Sequence, residues 1–241
     1  MKNLILTTAA LAFSAGMALA QDTVRMATEG AYPPYNFIND AGEVDGFERE
    51  LGDALCLRAT LTCTWVTNEW DSIIPNLVSG NYDVIIAGMS ITDERDKVID
   101  FTQNYIPPTS SAYAALSADA DFTTGTVAAQ TSTIQSGYVA ESGAMLLEFA
   151  TGDETVASVQ NGEAAAVFAD KDFLAPLVEA SGGTLMFVGP DVPLGGGIGM
   201  GFRESDTELK AKFDAAITAM KADGTLNAMI IKWFGPDAVV Y

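Results

Sequence analysis

The chain has 241 residues, a formal net charge of −20 and no histidine. So acidic a chain is a poor partner for nucleic acid or an anionic membrane surface, and the missing imidazole excludes histidine-based catalytic triads and metal sites. With 49% hydrophobic residues, the length suffices for one large core or two smaller lobes.

Residues 1–20 read as a secretory signal. Lys2 gives a positive start, residues 4–19 are apolar with breaks at Ser14 and Gly16, and Ala18-Leu19-Ala20 is a small-x-small cleavage site before Gln21. Losing Lys2 takes the charge from −20 to −21. A membrane anchor is the alternative, but the apolar stretch is short and broken. No later segment approaches the ~20 apolar residues of a membrane span, so the remainder is expected to be soluble.

Residues 24–28 form the first strand candidate. The loop TEGAYPPYNF follows, with Tyr32 ahead of Pro33 and Pro34, which are expected to hold it extended. Phe47, Leu51, Ala54 and Leu55 recur at helical spacing over 47–57. Cys56 and Cys63 are the two cysteines. In an exported chain a lone close pair is by default a disulfide. Residues 63–66 are strand-like, and 71–79 place Ile73, Ile74, Leu77 and Val78 on one helical face before Gly80. Residues 82–87, YDVIIA, read as a buried strand. This βαβα order argues for an α/β domain with a largely parallel sheet.

A second unit repeats the order. Residues 126–129 are strand-like, 156–160 end a helix at Asn161-Gly162, and 164–168 are a buried strand. LVSGNYDVIIAG (77–88) and SVQNGEAAAVFAD (158–170) share one pattern: a helix stops at glycine, a buried strand follows, and a small or polar residue stands eight positions on. Gly80 leads to Gly88, and Gly162 leads to Asp170. Two lobes of related architecture are the expectation. Residues 105–109, stiffened by Pro107 and Pro108, and the glycine-rich 193–199 are candidate crossings between them. A last long helix over 206–222 stops at Asp223-Gly224, and a short helix ends near Trp233-Phe234.

Ligands of open α/β sheets bind beyond the carboxyl ends of strands. Gly88, Met89 and Ser90 stand at such an end. Thr92 suits an N-cap, which puts Arg95 about one turn in and able to fold back. Its planar fork matches a carboxylate; a surface pair with Asp93, Asp96 or Asp100 is the alternative. Residues 130–135, QTSTIQ, follow a strand, and helix N-terminal amides there would bind an anion or merely cap. Asp170, after a buried run, needs a partner: Lys171, a backbone N–H or a ligand ammonium. Tyr32 and Trp70 could flank an aliphatic or cationic side chain, or simply pack in the core. Together these groups match a free α-amino acid.

The segments TEGAYPPYNF, GEVDGFERELGDALC, NEWDSIIPNLVSGNYDVIIAGMSITDERDKVIDFT, VAAQTSTIQ and DGTLNAMIIKWFG carry a resemblance. In order, they resemble the periplasmic polar-amino-acid-binding proteins of ABC importers, in the lysine/arginine/ornithine/histidine and opine branch. The resemblance implies a two-lobed periplasmic-binding-protein fold, each lobe an α/β sheet domain, joined by a two-stranded hinge. Lobe 1 would comprise 21–107 and 198–241, and lobe 2 108–197. It implies a monomer in the periplasm that hands its ligand to the permease subunits of an ABC importer, with no cofactor, no metal and no catalysis. Arg95 and the backbone N–H groups of Thr133 and Ile134 would hold the α-carboxylate. Asp170, Ser90 and the Gly88 carbonyl would hold the α-ammonium, with Met89 beside them. Tyr32 and Trp70 would flank the side chain, and Glu29, with Glu48 near a second acid, would meet a basic group. Gln130 falls where relatives vary with ligand. The cysteine spacing also matches this branch and supports a Cys56–Cys63 disulfide. Ser132 and Ile134 depart from the glycine and threonine common there. A glutamine or opine ligand, a cofactor-free dehydratase on the same fold, and a sensor domain are the competing readings.

Overall fold

The computed structural model describes residues 23–241; the predicted signal and Gln21 lie outside the described residues. The first half holds β1 (Val24–Thr28), β2 (Ala31–Tyr32), β3 (Asn36–Ile38), β4 (Val44–Asp45), α1 (Phe47–Arg58), β5 (Cys63–Thr67), α2 (Trp70–Val78), β6 (Val84–Ile85) and β7 (Asp100–Phe101). Next come β8 (Ser110–Ala115), β9 (Thr126–Gln130), α3 (Ile134–Ser142), β10 (Met145–Phe149), α4 (Gly152–Gln160), β11 (Ala166–Asp170), α5 (Lys171–Ala180) and β12 (Met186–Pro193). The chain ends with β13 (Gly201–Phe202), α6 (Thr207–Ala222) and α7 (Thr225–Phe234).

Two five-stranded sheets carry the architecture, ordered β5-β1-β6-β13-β7 and β10-β9-β11-β8-β12. In each, the first three strands are parallel and the fourth runs antiparallel to both of its neighbours. β6 and β11 occupy equivalent places, so the pattern shared by 77–88 and 158–170 is an equivalence of sheet position. The chain passes between the sheets at 102–109 and 194–200. These crossings are bonded to each other: Ile198 N–H donates to Ile106 O at 3.1 Å, and Tyr105 N–H to Ile198 O at 2.7 Å. The second crossing also runs beside the end of the β6 segment, where Ile91 N–H donates to Gly197 O at 2.8 Å.

Burial follows the periodicities that make the elements. Phe47, Leu51 and Leu55, spaced by four on α1, are all fully buried. The capping box of Thr151 and Glu154 starts α4 several residues before its apolar face. Three expectations need correction. The loop at Pro33-Pro34 is not extended; residues 33–35 turn β2 tightly back onto β3, pairing Tyr32 with Asn36. Of the strand expected over 82–87, Val84–Ile85 alone pairs regularly. Thr92 caps no α-helix: its Oγ1 accepts the Arg95 N–H at 3.2 Å, and Arg95–Lys97 forms one 3-10 turn. The nearby Val98 and Ile99 amides both return to Arg95 O, so the turn closes before an α-helix develops.

Cys56 and Cys63 are joined, tying α1 to the start of β5. Their loop is short, so the chain-entropy model gives roughly 2–3 kcal/mol. Replacing both by serine is expected to lower Tm by roughly 5–10 °C and to leave ligand affinity unchanged, because neither residue reaches the cavity described next. Calorimetric unfolding with and without ligand checks this; an unchanged Tm would contradict it.

Candidate functional site

The carboxyl ends of β1, β6, β9 and β11 converge between the lobes on a cavity of about 450 Å³, counted to its mouth. Glu29, Tyr32, Trp70, Gly88, Ser90, Arg95, Gln130, Thr133, Ile134 and Asp170 all line it. Met89 does not. Gly88 and Ser90 line the cavity, while Met89 is fully buried and joins the core cluster of Ile73, Ile85 and Ile99.

Arg95 folds back as its place in the sequence suggests. Its Nη1 donates to Ser90 O at 2.8 Å, and its Nη2 reaches Ser132 O of the second lobe at 3.3 Å. The guanidinium carbon lies 5.3 Å from the Trp70 ring centroid, so Trp70 supports this cation as well as lining the cavity. Desolvation draws the Arg95 pKa down to about 10, and the group remains charged at neutral pH. Arg95 forms no ion pair with Asp93, Asp96 or Asp100 among the described residues. Opposite it, Thr133 caps α3, accepting the Ser136 N–H at 3.1 Å. The positive end of that helix therefore meets the cavity at Thr133 and Ile134. Ser132 has φ 57°, a left-handed backbone that glycine adopts without steric cost.

Asp170 accepts from Tyr32 OH at 2.9 Å and from Gln135 Nε2 at 2.9 Å. Lys171, one partner considered for it, turns away to Asp191 at 2.6 Å. Burial pushes the Asp170 pKa up to about 6, although Tyr32 and Gln135 donate to it. The Tyr32 ring stacks on Phe173 of the other lobe at 4.2 Å and 8°.

Also on the lining, Glu29 Oε1 accepts from Gln130 Nε2 at 2.6 Å. Gln130 also donates to Ala150 O at 3.0 Å. Burial raises the Glu29 pKa to about 7, reinforced by Asp153 and Asp71. Glu48 is corrected: it is fully buried and lies outside the cavity lining. The charged side chains of the lining are thus Glu29, Asp170 and Arg95.

Residues 24–236 match the family model for bacterial extracellular solute-binding proteins, family 3. The chain belongs to this family. The octopine-binding periplasmic protein of Rhizobium meliloti is 32% identical, over 95% of this chain and 96% of its own. The L-arginine-binding protein of Pseudomonas aeruginosa is 31% identical, over 90% of each. A crystal structure of a periplasmic His/Glu/Gln/Arg/opine family-binding protein from Silicibacter pomeroyi, in complex with lysine, is 77% identical with a TM-score of 0.90. It covers 90% of this chain and 100% of the crystallised one.

As a family 3 solute-binding protein, the chain also places residues at its cleft that the sequence reading passed over. Gln135 lies inside the quoted QTSTIQ, where the motif drew attention to the backbone and not to the side chain; it is buried and bonds Ser111 Oγ at 3.0 Å as well as Asp170. Gly152 makes room for the ring stack, since a Cβ there would stand 2.8 Å from Phe173 Cζ and 3.1 Å from the Tyr32 ring. No local signal marks Gly152 or Phe173, because their partner is 120 or more positions away in sequence.

Proposed function

We propose that this protein captures a free basic amino acid, lysine in the first place, between its lobes and delivers it to the permease of an ABC importer. It does so as a periplasmic monomer without chemical turnover. Lobe 1 is 21–107 with 198–241, lobe 2 is 108–197, and the paired crossings are the hinge. The observation that carries this reading is the charge pattern of the lining. Arg95, beside the N-terminus of α3, suits an α-carboxylate. Asp170, near Ser90 and Gly88, suits an α-ammonium. Glu29, bonded to Gln130 and in the negative field of Asp153 and Asp71, suits a side-chain cation. Two carboxylates against one guanidinium sum to −1, the complement of a dibasic amino acid carrying +1. The lysine-bound relative and the arginine- and octopine-binding relatives support the same ligand class.

The test is calorimetric titration of refolded, ligand-stripped protein with lysine, arginine, ornithine, histidine, glutamine and octopine. The expected result is tight 1:1 binding of a cationic member, recovered unaltered. No heat from any cationic member overturns the reading.

Lysine affinity should depend on pH with a definite sign. Glu29 at about 7 and Asp170 at about 6 hold protons that a cation must displace. Affinity is therefore expected to level off near pH 8, to fall as pH drops through 7, and to fall up to twice as steeply below 6. The ligand-free fold responds oppositely through these two groups. Their folded pKa values are raised, so their contribution to stability is present below the unfolded values near 4 and is lost as pH rises through 6 to 7. Titrations in buffers of different ionisation heat should register protons released on binding; none released near pH 6.5 would contradict the assignment.

A further inference from the structure

Glu48 is the buried carboxylate that the cavity does not use. It is 0% exposed, and no ion pair reaches it among the described residues. Three hydrogen bonds converge on it, and every one comes from a donor. Oε1 accepts the Gly88 N–H at 2.6 Å and the Tyr105 hydroxyl, and Oε2 accepts Asn36 Nδ2 at 2.7 Å. Each donor belongs to a different part of the molecule. Asn36 Oδ1 in turn accepts the Gly30 N–H at 2.7 Å, fixing the residue next to Glu29. Gly88 ends the β6 segment with φ 61° and packs toward the Tyr32 ring. Tyr105 stands in the first crossing, bonded to Ile198 of the second.

We propose that Glu48 is a positioning residue: its carboxylate ties the Glu29–Gly30 turn, the Gly88 strand end and the hinge residue Tyr105 into one unit. The first-lobe wall of the cavity then keeps its spacing and moves with the hinge. The chemistry requires an acceptor on both oxygens. A glutamine here brings an N–H₂ to a place where every partner donates. If that amide faces Asn36, Asn36 must turn over and release Gly30. If it faces Gly88, a buried N–H loses its acceptor, which is costly. The proposal rests on the amino-acid reading above only for its choice of probe.

The experiment is lysine titration of Glu48→Gln, Tyr105→Phe and the double variant, at a temperature where circular dichroism reports a native fold. The Gly88 amide resonance is followed by 15N NMR alongside. Glu48→Gln is expected to weaken lysine about tenfold to a hundredfold, Tyr105→Phe less, and the double variant about as much as Glu48→Gln alone, because groups acting as one unit are not additive. The Gly88 amide should move in all three. An unchanged lysine Kd with a lower Tm alone would assign Glu48 to the fold and overturn the proposal. Should Glu48→Gln fail to fold, Tyr105→Phe decides on the same two readouts. Should the unaltered protein not bind lysine, the amino-acid reading fails separately, and an unmoved Gly88 amide still overturns the positioning role.

Discussion

Replacing Arg95 with alanine is expected to abolish measurable lysine binding. Arg95 is the single cation of the lining, and the ligand carboxylate would be buried against Glu29 and Asp170 without it. Truncating one member of a buried charge pair costs roughly 3–5 kcal/mol, which is more than two powers of ten in Kd. The loss should include the Ser132 contact between lobes, so the dissociation rate should rise more than the association rate falls. Arg95→Lys separates charge from geometry. It keeps the cation but not the planar fork that also holds Ser90 O, and should restore part of the affinity only. Near-native affinity in Arg95→Ala would sink the carboxylate assignment.

Glu29→Gln should change which ligand is preferred. The substitution keeps an acceptor for Gln130 but removes the charge facing a ligand's side-chain cation. Lysine is expected to weaken about tenfold to a hundredfold, the range for losing a charged hydrogen-bond partner. Glutamine should weaken less, since its side-chain amide carries no charge and can hydrogen-bond a carboxylate or an amide oxygen alike. The fall of the lysine profile that begins near pH 7 should also disappear, leaving the Asp170 step near 6. Parallel losses for lysine and glutamine would mean that Glu29 does not read the side chain.

Much of this molecule is written locally. The spacing of Phe47, Leu51 and Leu55 makes α1, and the glycine after each helix and the buried run beyond it mark β6 and β11. The two crossings announce themselves through Pro107-Pro108 and the glycines of 193–199. Arg95 could be tied to the strand end at Ser90 because only five residues separate them.

What the sequence determined by itself was much of the alphabet of the site: Arg95, Asp170, two rings and a helix start, to which the family resemblance added Glu29, and the acidic, histidine-free character that excludes histidine-based metal sites and triads. What the tertiary structure alone decided was the pairing among them. Tyr32 with Asp170, Glu29 with Gln130, and Tyr32 with Phe173 join residues 138, 101 and 141 positions apart. Such contacts depend on how one lobe sits on the other, and no local periodicity encodes that. Glu48 shows the difference most plainly. The family resemblance set it near an acid that meets a basic group, and the fold instead surrounds it with three donors, the Asn36 amide, the Tyr105 hydroxyl and the Gly88 N–H.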